Sequence, residues 1–535
     1  MSGHPGVTAP PVPLTLDQQV GQKMLVAFPG LEAPAEFLSL LKRMHLGGVT
    51  IFRHLNVRDP GQVRSLTTAL QNAAAESGQP PLLVGADQEG GTLMALAGTT
   101  PFPGNMALGA TRSPELARRT GYTIGRELAA MGINVNYAPV CDVNVNPKNP
   151  VVGVRSFGED PGEVATLVSA LVVGLQQAGV AATAKHFPGH GDTAVDSHYG
   201  AAVVPFDVER LNRVELPSFA AAIEAGVKLV MTAHLALPAL TGGLEVPATL
   251  SPAVLRGLLR GQLGFEGVIV SDALNMGAID QGQGFVIDAI AAAAAGVDLL
   301  MLIDSSAKLE AVYGGVLHAA RRGLLSQEDM WVSTRRVLDL KAWIGRQVQP
   351  DLEVVRCKEH LDLAYEIAAK SLTLVRDREG LLPLRLSSNA RVVSVIPRPA
   401  DLTPADTSSY ETPSLAAALR AYHPSVEEHV IPMDPSPGEV ASLRQLLVGC
   451  DLAVVGTINA SDYPGQAALV NALLEDGIPV VAVALRLPYD LEVYPAAPTY
   501  VCTYSLQAPS LQALADALWG RIPFEGRLPV TVSGA

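Results

Sequence analysis

The sequence predicts an α/β protein with two domains, a (β/α)₈ barrel of the TIM type followed by a smaller three-layer α/β sandwich. From about residue 20 to 345, short β-branched runs alternate with longer helical patterns, and a second alternating series begins near residue 370. This alternation is typical of βαβ units around a parallel sheet. Of the 535 residues 48% are hydrophobic and only 17% are charged, which excludes a disordered or fibrous chain.

The first series contains eight predicted strands, the number that closes a barrel. They are Lys23–Phe28, Gly48–Phe52, Leu82–Ala86, Ile133–Ala138, Ala181–Lys185, Lys228–Ala233, Gly267–Ser271 and Val297–Leu302. Helical stretches such as Pro114–Met131, Pro161–Ala178 and Pro252–Leu263 lie between them. Ser113 and Ser251 each precede a proline. Serine is a favoured N-cap residue and proline is favoured at the first position of a helix, so each pair predicts the start of a helix.

The second series predicts the smaller domain. Its strands are expected near Ser371–Val375, Val392–Ile396, Leu452–Thr457, Pro479–Ala484 and Tyr500–Tyr504, with helices at Leu415–Ala421, Val440–Leu447 and Ala467–Glu475. We therefore predict a flexible N-terminus over residues 1–15, the barrel over 16–345, a linker over 346–370 and the sandwich over 371–535. No glycine-rich phosphate loop follows the first strand of the sandwich, so nucleotide binding has little support.

Charge and composition limit the partners. The formal net charge of −14 repels nucleic acid and anionic lipid. The four cysteines are scattered without zinc-site or disulfide spacing. The N-terminus lacks the basic and apolar regions of a secretory signal, and the most apolar stretch, Ala289–Ile303, is interrupted by Asp298 and shorter than the about 20 residues that span a bilayer. We expect a cytoplasmic protein without nucleic-acid or membrane partners; the sequence does not determine its oligomeric state.

Ionisable side chains follow six of the eight barrel strands. In a barrel, the carboxyl ends of the strands surround the mouth at which active sites are built. The residues are Asp87 and Glu89 after strand three, Asp142 after strand four, Lys185 and His186 after strand five, His234 after strand six, Asp272 after strand seven and Asp304 after strand eight. The alternative is that such residues only cap helices or pair with one another, and it stays open for Asp142 and Asp304.

The densest cluster of ionisable residues lies in the loop after strand five. Residues 185–198 read KHFPGHGDTAVDSH, with three histidines, two aspartates and a lysine. His190, Asp192, Asp196 and His198 could ligate a metal, or Asp196 could orient His198 as an acid/base dyad. Metal sites in barrels usually take ligands from several strands, and no His-x-His pair follows strand one. The dyad, without a metal, is therefore favoured.

This loop resembles the signature of the glycoside hydrolase family 3 β-N-acetylglucosaminidases. Other segments resemble further motifs of the family in the same order. They are DQEGG at residues 87–91, RSFG at 155–158 and SDALNM at 271–276 in the barrel, and PGQ at 464–466, PYDL at 488–491 and GRLPV at 526–530 in the second domain. The resemblance covers nearly the whole chain from about residue 15.

The resemblance implies an exo-acting hydrolase of small carbohydrate substrates, with retention of configuration and without a cofactor. Asp272 matches the nucleophile, and His198 with Asp196 matches the acid/base of this subgroup. An imidazole, with a pKa of about 6.5, can donate and then accept a proton near neutral pH. Terminal N-acetylglucosamine, from cell-wall fragments or other amino-sugar glycans, is the expected substrate.

The same resemblance assigns the sugar-binding residues. Asp87, Arg155, Lys185 and His186 match residues that bind the hydroxyls of the terminal sugar, a task suited to charge-assisted hydrogen bonds. For Arg155 the alternative is an ion pair with Glu159 or Asp160. His190, Asp192 and His234 are candidates for lining the pocket, while His190 and Asp192 could equally stiffen the loop.

One segment departs from the family pattern. Thr92-Leu93-Met94-Ala95 stands where members typically have Arg-Val-x-Arg, so both arginines are missing. The catalytic pair is unaffected, but the preferred sugar is left open. The alternatives are a β-glucosidase or β-xylosidase, a glycoside phosphorylase, a metal-dependent hydrolase, and a sugar-binding protein without activity.

Overall fold

The first domain is the predicted barrel. The computed structural model describes residues 14–193, 202–204, 206–279, 284–303 and 306–534. Its eight parallel strands are β1 (Met24–Val26), β2 (Gly48–Ile51), β3 (Leu83–Ala86), β4 (Val135–Asn136), β5 (Ala181–Phe187), β6 (Leu229–Thr232), β7 (Val268–Ser271) and β8 (Leu300–Leu302). Neighbours along the sheet run β7-β6-β5-β4-β3-β2-β1-β8. A parallel bridge between Val270 and Leu299 closes the sheet between β7 and β8.

Helices surround the strands. They are Leu16–Gln22, Ala35–Met44, Arg53–Asn56, Pro60–Glu76, Asn105–Thr111, Pro114–Ala130, Pro161–Gln177, Val208–Arg213, Leu216–Glu224, Ala253–Gln262, Phe285–Ala295, Ser306–Arg321 and Gln327–Ile344. Ser113 accepts a hydrogen bond from the backbone N–H of Leu116 and caps its helix as predicted. Within the described part of the chain, no helix combines the length and apolarity that crossing a membrane requires.

The barrel interior is a packed core rather than a channel. Leu25, Leu83, Leu229 and Val268 belong to one buried cluster that also includes Tyr137. The opposite faces of the strands pack against the helices in a larger cluster. Because both faces of a strand are buried, the strands read as continuous apolar runs, and this is why the sequence located them.

The second domain is a six-stranded sheet between two layers. Its strands are β9 (Thr373–Asp377), β10 (Val392–Pro397), β11 (Val426–Ile431), β12 (Leu452–Thr457), β13 (Val480–Ala484) and β14 (Thr499–Cys502), in the order β9-β14-β13-β12-β10-β11. Only the β9–β14 pair is antiparallel. Alternate residues of β12 enter two separate cores, Ala453 and Val455 one, Leu452 and Val454 the other. The three-layer prediction is therefore confirmed.

The helices of this domain are Leu415–Leu419, Pro437–Leu446, Pro464–Glu475 and Ala508–Leu518. The sequence did not predict β11. This strand lies at the edge of the sheet, and its central residues Glu427, Glu428 and His429 are exposed or only partly buried. An edge strand with polar residues lacks the apolar run that identifies a buried strand.

The two domains contact each other over several segments. The helix Lys358–Ser371 begins in the predicted linker and ends one residue beyond it, and it packs against the helices Asn105–Thr111 and Ala508–Leu518. Glu127 of the barrel, which is buried, accepts hydrogen bonds from Arg356 N and from His360 Nδ1, both at 2.8 Å. These bonds attach the segment between the domains to the barrel.

Candidate active site

A cavity of about 470 Å³ opens at the carboxyl ends of the barrel strands. Five residues singled out in the sequence line it together, namely Asp87, Arg155, Lys185, His186 and Asp272. The structure thus places the proposed nucleophile and all four proposed sugar-binding residues around one space. Its volume lies within the about 300–1,000 Å³ that is usual for small-molecule sites.

The charged wall of the cavity is a network centred on Glu89. Arg155 donates two hydrogen bonds to the Glu89 carboxylate, at 2.9 and 2.7 Å. Lys185 Nζ lies 2.7 Å from Glu89 Oε1 and 2.5 Å from Asp87 Oδ1. The side chains of Arg155, Lys185 and Glu89 are no more than 4% exposed. The alternative of an ion pair between Arg155 and Glu159 or Asp160 is wrong, because Glu89 is the partner.

The network keeps its members charged. Burial alone would raise the pKa of Glu89, but the charges of Arg155 and Lys185 outweigh it and hold that pKa at about 2. Burial alone would likewise lower the pKa of Lys185, but the carboxylates of Asp87 and Glu89 raise it. Glu89 and Lys185 therefore stay charged although they are buried, and with Arg155 they form a fixed set of charges in the cavity wall.

Donors remain for a ligand. A guanidinium has five N–H groups, and Arg155 uses three of them on Glu89 and Val151 O. An ammonium has three, and Lys185 uses two of them on Asp87 and Glu89. Vicinal hydroxyls of a sugar can accept the remaining hydrogen bonds.

Asp272 follows the end of β7. Its backbone N–H donates to Thr232 O at 3.2 Å, and its Oδ1 accepts from Ala273 N at 2.8 Å. Because the first bond ties the residue to β6, the carboxylate is held at the rim of a rigid barrel. Met231, Met276 and Met301 contribute apolar side chains to the wall of the same cavity.

Asp142 organises the loop that follows β5. Its fully buried carboxylate accepts from the backbone N–H of His190 at 2.7 Å and lies 2.7 Å from His186 Nδ1. Burial opposes ionisation, but the neighbouring His186 lowers the pKa of Asp142. Gly191 is required because a Cβ there would lie 1.8 Å from Val143 O, and Gly189 has a left-handed φ of +131°. The two glycines of the loop motif are therefore required by the packing and the backbone conformation of the loop.

Three further predicted residues lie away from the cavity wall. His190 is buried, with its Nδ1 2.7 Å from Thr193 Oγ1. Asp192 pairs with Arg210 at 3.1 Å. His234 is buried between Thr249 Oγ1 at 2.8 Å and Ala273 O at 3.0 Å. Asp196, His198 and Asp304 lie outside the described residues, and among those described no cluster of three or more His, Cys, Asp or Glu is placed to hold a metal ion.

The second domain completes the cavity. Residues 401–410, here called the sandwich loop, contribute Asp401, Thr403, Asp406, Thr407 and Tyr410 to the wall. A buried ion pair at 2.5 Å between Asp406 and Arg486 fixes this loop within its own domain.

The sandwich loop is docked on the segment in which the family arginines are missing. Thr407 N donates to Thr92 O at 2.8 Å, and Met94 N donates to Thr407 Oγ1 at 3.0 Å. Ala95 lines the cavity beside this contact. The backbone of the segment that lacks the expected arginines is thus hydrogen-bonded to the second domain.

The chain is similar in sequence to known proteins over nearly its whole length. The model of the glycosyl hydrolase family 3 N-terminal domain matches residues 15–340. The chain belongs to glycosyl hydrolase family 3. It is 34% identical to beta-hexosaminidase A of Pseudoalteromonas piscicida over 98% of each chain. It is 31% identical to the beta-N-acetylglucosaminidase/beta-glucosidase of Cellulomonas fimi, over 96% of this chain and 93% of that protein.

A solved structure extends the similarity to both domains. The family 3 β-N-acetylglucosaminidase of Paenibacillus sp. str. FPU-7 is 40% identical, with a TM-score of 0.91 over 97% of this chain and 99% of that chain. The predicted resemblance to the two-domain members of family 3 is confirmed, and the chain is a glycoside hydrolase.

Within this family 3 site, sequence reasoning missed three contributors. The sequence places Glu89 at the rim but does not show that it joins Arg155 to Lys185. Arg53 directly follows the predicted strand Gly48–Phe52 and lines the cavity, so the rule applied to the other strands would have found it. Only the sandwich loop lacked a signal, because nothing in residues 401–410 indicates which surface of the barrel they meet.

Proposed function

We propose that the protein is a retaining exo-β-N-acetylglucosaminidase that removes terminal N-acetylglucosamine from glycans such as cell-wall fragments. The observation that carries this proposal is the presence of Asp272 in the same cavity as Asp87, Arg155, Lys185 and His186. A carboxylate nucleophile must reach the anomeric carbon while other groups hold the hydroxyls of the same ring. The names of the similar proteins support the amino sugar.

In the proposed mechanism, Asp272 attacks the anomeric carbon and forms a glycosyl-enzyme of inverted configuration. The His198 imidazolium, which Asp196 stabilises, protonates the leaving oxygen and becomes a neutral imidazole, and this imidazole then accepts a proton from the attacking water. Water attacks the same carbon, releases Asp272 and restores the original configuration. The network around Glu89 supports this role by holding the sugar without itself exchanging protons.

The apolar wall supports an N-acetylated sugar. The acetamido group of N-acetylglucosamine ends in a methyl group, and Met231, Met276 and Met301 offer thioether side chains that adapt to such a group. These side chains therefore support an amino sugar as the substrate.

The proposal is tested with a panel of aryl glycosides. We expect kcat/KM for the 4-nitrophenyl β-N-acetylglucosaminide to exceed that for the β-glucoside and the β-xyloside by at least about fivefold, since a buried methyl group contributes about 1 kcal/mol or more. The first product, observed by NMR before mutarotation, should be the β-anomer. Equal rates on all three sugars would contradict the proposed specificity. A sugar 1-phosphate as the main product in phosphate buffer would identify a phosphorylase instead.

The role of His198 is tested by measuring how kcat/KM of a variant depends on the leaving group of the substrate. For His198→Ala we expect kcat/KM to stay near the wild-type value with a 2,4-dinitrophenyl leaving group, because that group departs without protonation. With an alkyl or sugar leaving group we expect a decrease of about 10²- to 10⁴-fold. His318→Ala, at an exposed site on the helix Ser306–Arg321, is the matched control and should behave as wild type. The same decrease for every leaving group would exclude His198 as the general acid.

A further inference from the structure

Another cavity lies at the end of the barrel opposite the active site. It has a volume of about 490 Å³, and no residue that the structure describes lines both it and the active-site cavity. Its walls come from residues just before strands β1 and β8, from the helices Ala253–Gln262 and Phe285–Ala295, and from the start of the helix Gln327–Ile344. We call it the basal cavity. Because it is remote from Asp272, a ligand bound there is not the glycan that is hydrolysed.

Positive charge exceeds negative charge in the basal cavity. Among the described residues, four cations line it against two carboxylates, namely Lys23, Arg256, Arg260 and Arg336 against Asp298 and Asp329. Arg256 pairs with Asp329 at 3.0 Å. The buried Asp298 accepts from Arg260 at 2.8 Å and from Arg336 only at 3.5 Å. The Asp298 carboxylate is therefore shared, and the lining residues keep an excess of two positive charges.

Lys23 brings one of these charges into the protein interior. Its buried ammonium donates to Val297 O at 2.8 Å, to Asp298 O at 3.2 Å and to Ser333 Oγ at 2.5 Å. Burial lowers the pKa of Lys23 to about 8, against the effect of the Asp298 carboxylate, so the group stays mostly protonated at neutral pH. Because Ser333 Oγ accepts from Lys23, and the described residues offer its own O–H no acceptor, this hydroxyl can donate to a ligand.

Arg336 supplies further donors to the same space. Its hydrogen bonding within the described part of the chain is limited to the long contact with Asp298, so most of its five N–H groups remain. Its side chain is 31% exposed, which leaves it accessible to small solutes. Ser333 and Arg336 are three residues apart on the helix Gln327–Ile344 and therefore lie on one face of it. A guanidinium, a hydroxyl and the Lys23 charge thus meet at one cavity.

We infer that the basal cavity binds a phosphate dianion, either free phosphate or the phosphate group of a small ester. A phosphate monoester carries a charge of about −1.5 to −2 at neutral pH, which matches the excess of two positive charges, whereas a carboxylate would leave one of them uncompensated. Arg336 and Ser333 donate hydrogen bonds to the phosphate oxygens, and Lys23 contributes its charge. The cavity has room for the organic part of an ester against Leu325 and Met330.

The test titrates the full chain with inorganic phosphate, glycerol 3-phosphate and glycerol, by calorimetry in a low-salt buffer that contains no phosphate. We expect saturable binding of the phosphates and none of glycerol, with an affinity that decreases as salt is added. Tighter binding of glycerol 3-phosphate than of inorganic phosphate would identify an ester as the ligand. Equal binding of the two would show that the site recognises the phosphate group alone.

Two variants locate the bound phosphate. Arg336→Gln should raise its Kd by at least about tenfold, and Ser333→Ala by about threefold, because hydrogen bonds to a charged group are lost. Arg335→Gln, the matched control, removes the same charge from an exposed neighbour on the same helix that does not line the cavity, and it should leave the Kd unchanged.

Absence of phosphate binding up to about 10 mM would overturn the inference. So would a Kd that neither Arg336→Gln nor Ser333→Ala alters, because the phosphate would then lie elsewhere, for example beside Lys185 in the active site. None of these measurements uses a glycoside, so their outcome is independent of the proposed function.

Discussion

Asp272→Ala should reduce kcat for an aryl β-N-acetylglucosaminide by at least about 10⁴-fold, the largest loss expected from any single change in this protein. Without the carboxylate no glycosyl-enzyme can form, and the remaining cavity only binds the sugar. The side chain lies at the rim of the barrel rather than in its core, so the variant should fold. The measurement is steady-state turnover, with circular dichroism to verify folding.

Azide provides a second readout for the same variant. A small anion can enter the space left by the carboxylate and attack the anomeric carbon directly, which should restore part of the turnover and yield the α-glycosyl azide. Asp339→Ala, at an exposed position on the helix Gln327–Ile344, serves as the matched control and should retain wild-type turnover. Retention of full activity by Asp272→Ala, or a β-azide as its product, would remove Asp272 from the role of nucleophile.

Glu89→Gln should be the most destabilising polar substitution in the site. It leaves Arg155 and Lys185 buried without the carboxylate that neutralises them, and the loss of one partner from a buried ion pair costs about 3–5 kcal/mol in the free energy of unfolding. We also expect weaker sugar binding, because both cations lose the partner that positions them. Chemical denaturation measures the first effect and the Kd for N-acetylglucosamine the second.

The pH dependence of this loss has a definite sign. The pKa of Glu89 is about 2 in the folded protein and about 4.5 ordinarily, so its stabilising contribution is complete above about pH 4.5 and declines as the pH falls towards 2. The difference in unfolding free energy between wild type and Glu89→Gln should shrink over that range. Glu310→Gln, which breaks an exposed pair with Arg43, should cost less than about 1 kcal/mol. A Glu89 effect no larger than this control would contradict the role assigned to the network.

The sequence predicted best those features that depend on residues close together in the chain. All eight barrel strands and the residues directly after them could be located, because buried parallel strands are continuously apolar and their carboxyl ends meet at one mouth. The partner of Arg155 could not be located, because Glu89 precedes it by 66 residues while Glu159 and Asp160 are near in sequence. The edge strand β11 was missed because its exposed residues interrupt the apolar pattern.

Local sequence rules do not predict the contact between the two domains. Neither Thr92 nor Thr407 belongs to a recognisable motif for pairing, and 315 residues separate them. What the sequence did show was the absence of two arginines at residues 92 and 95. In the structure this absence coincides with the docking of the sandwich loop on the same backbone.

The ion pair between Asp406 and Arg486 has an evolutionary consequence. Arg486 lies 80 residues from its partner and belongs to a domain to which we assign no step of the reaction, yet it holds a loop that shapes the entrance for substrates. Mutations around this pair can therefore alter which glycans are accepted while the barrel and its chemistry stay constant. Substitutions in the second domain can thus change the shape of the cavity without changing the barrel residues that line it.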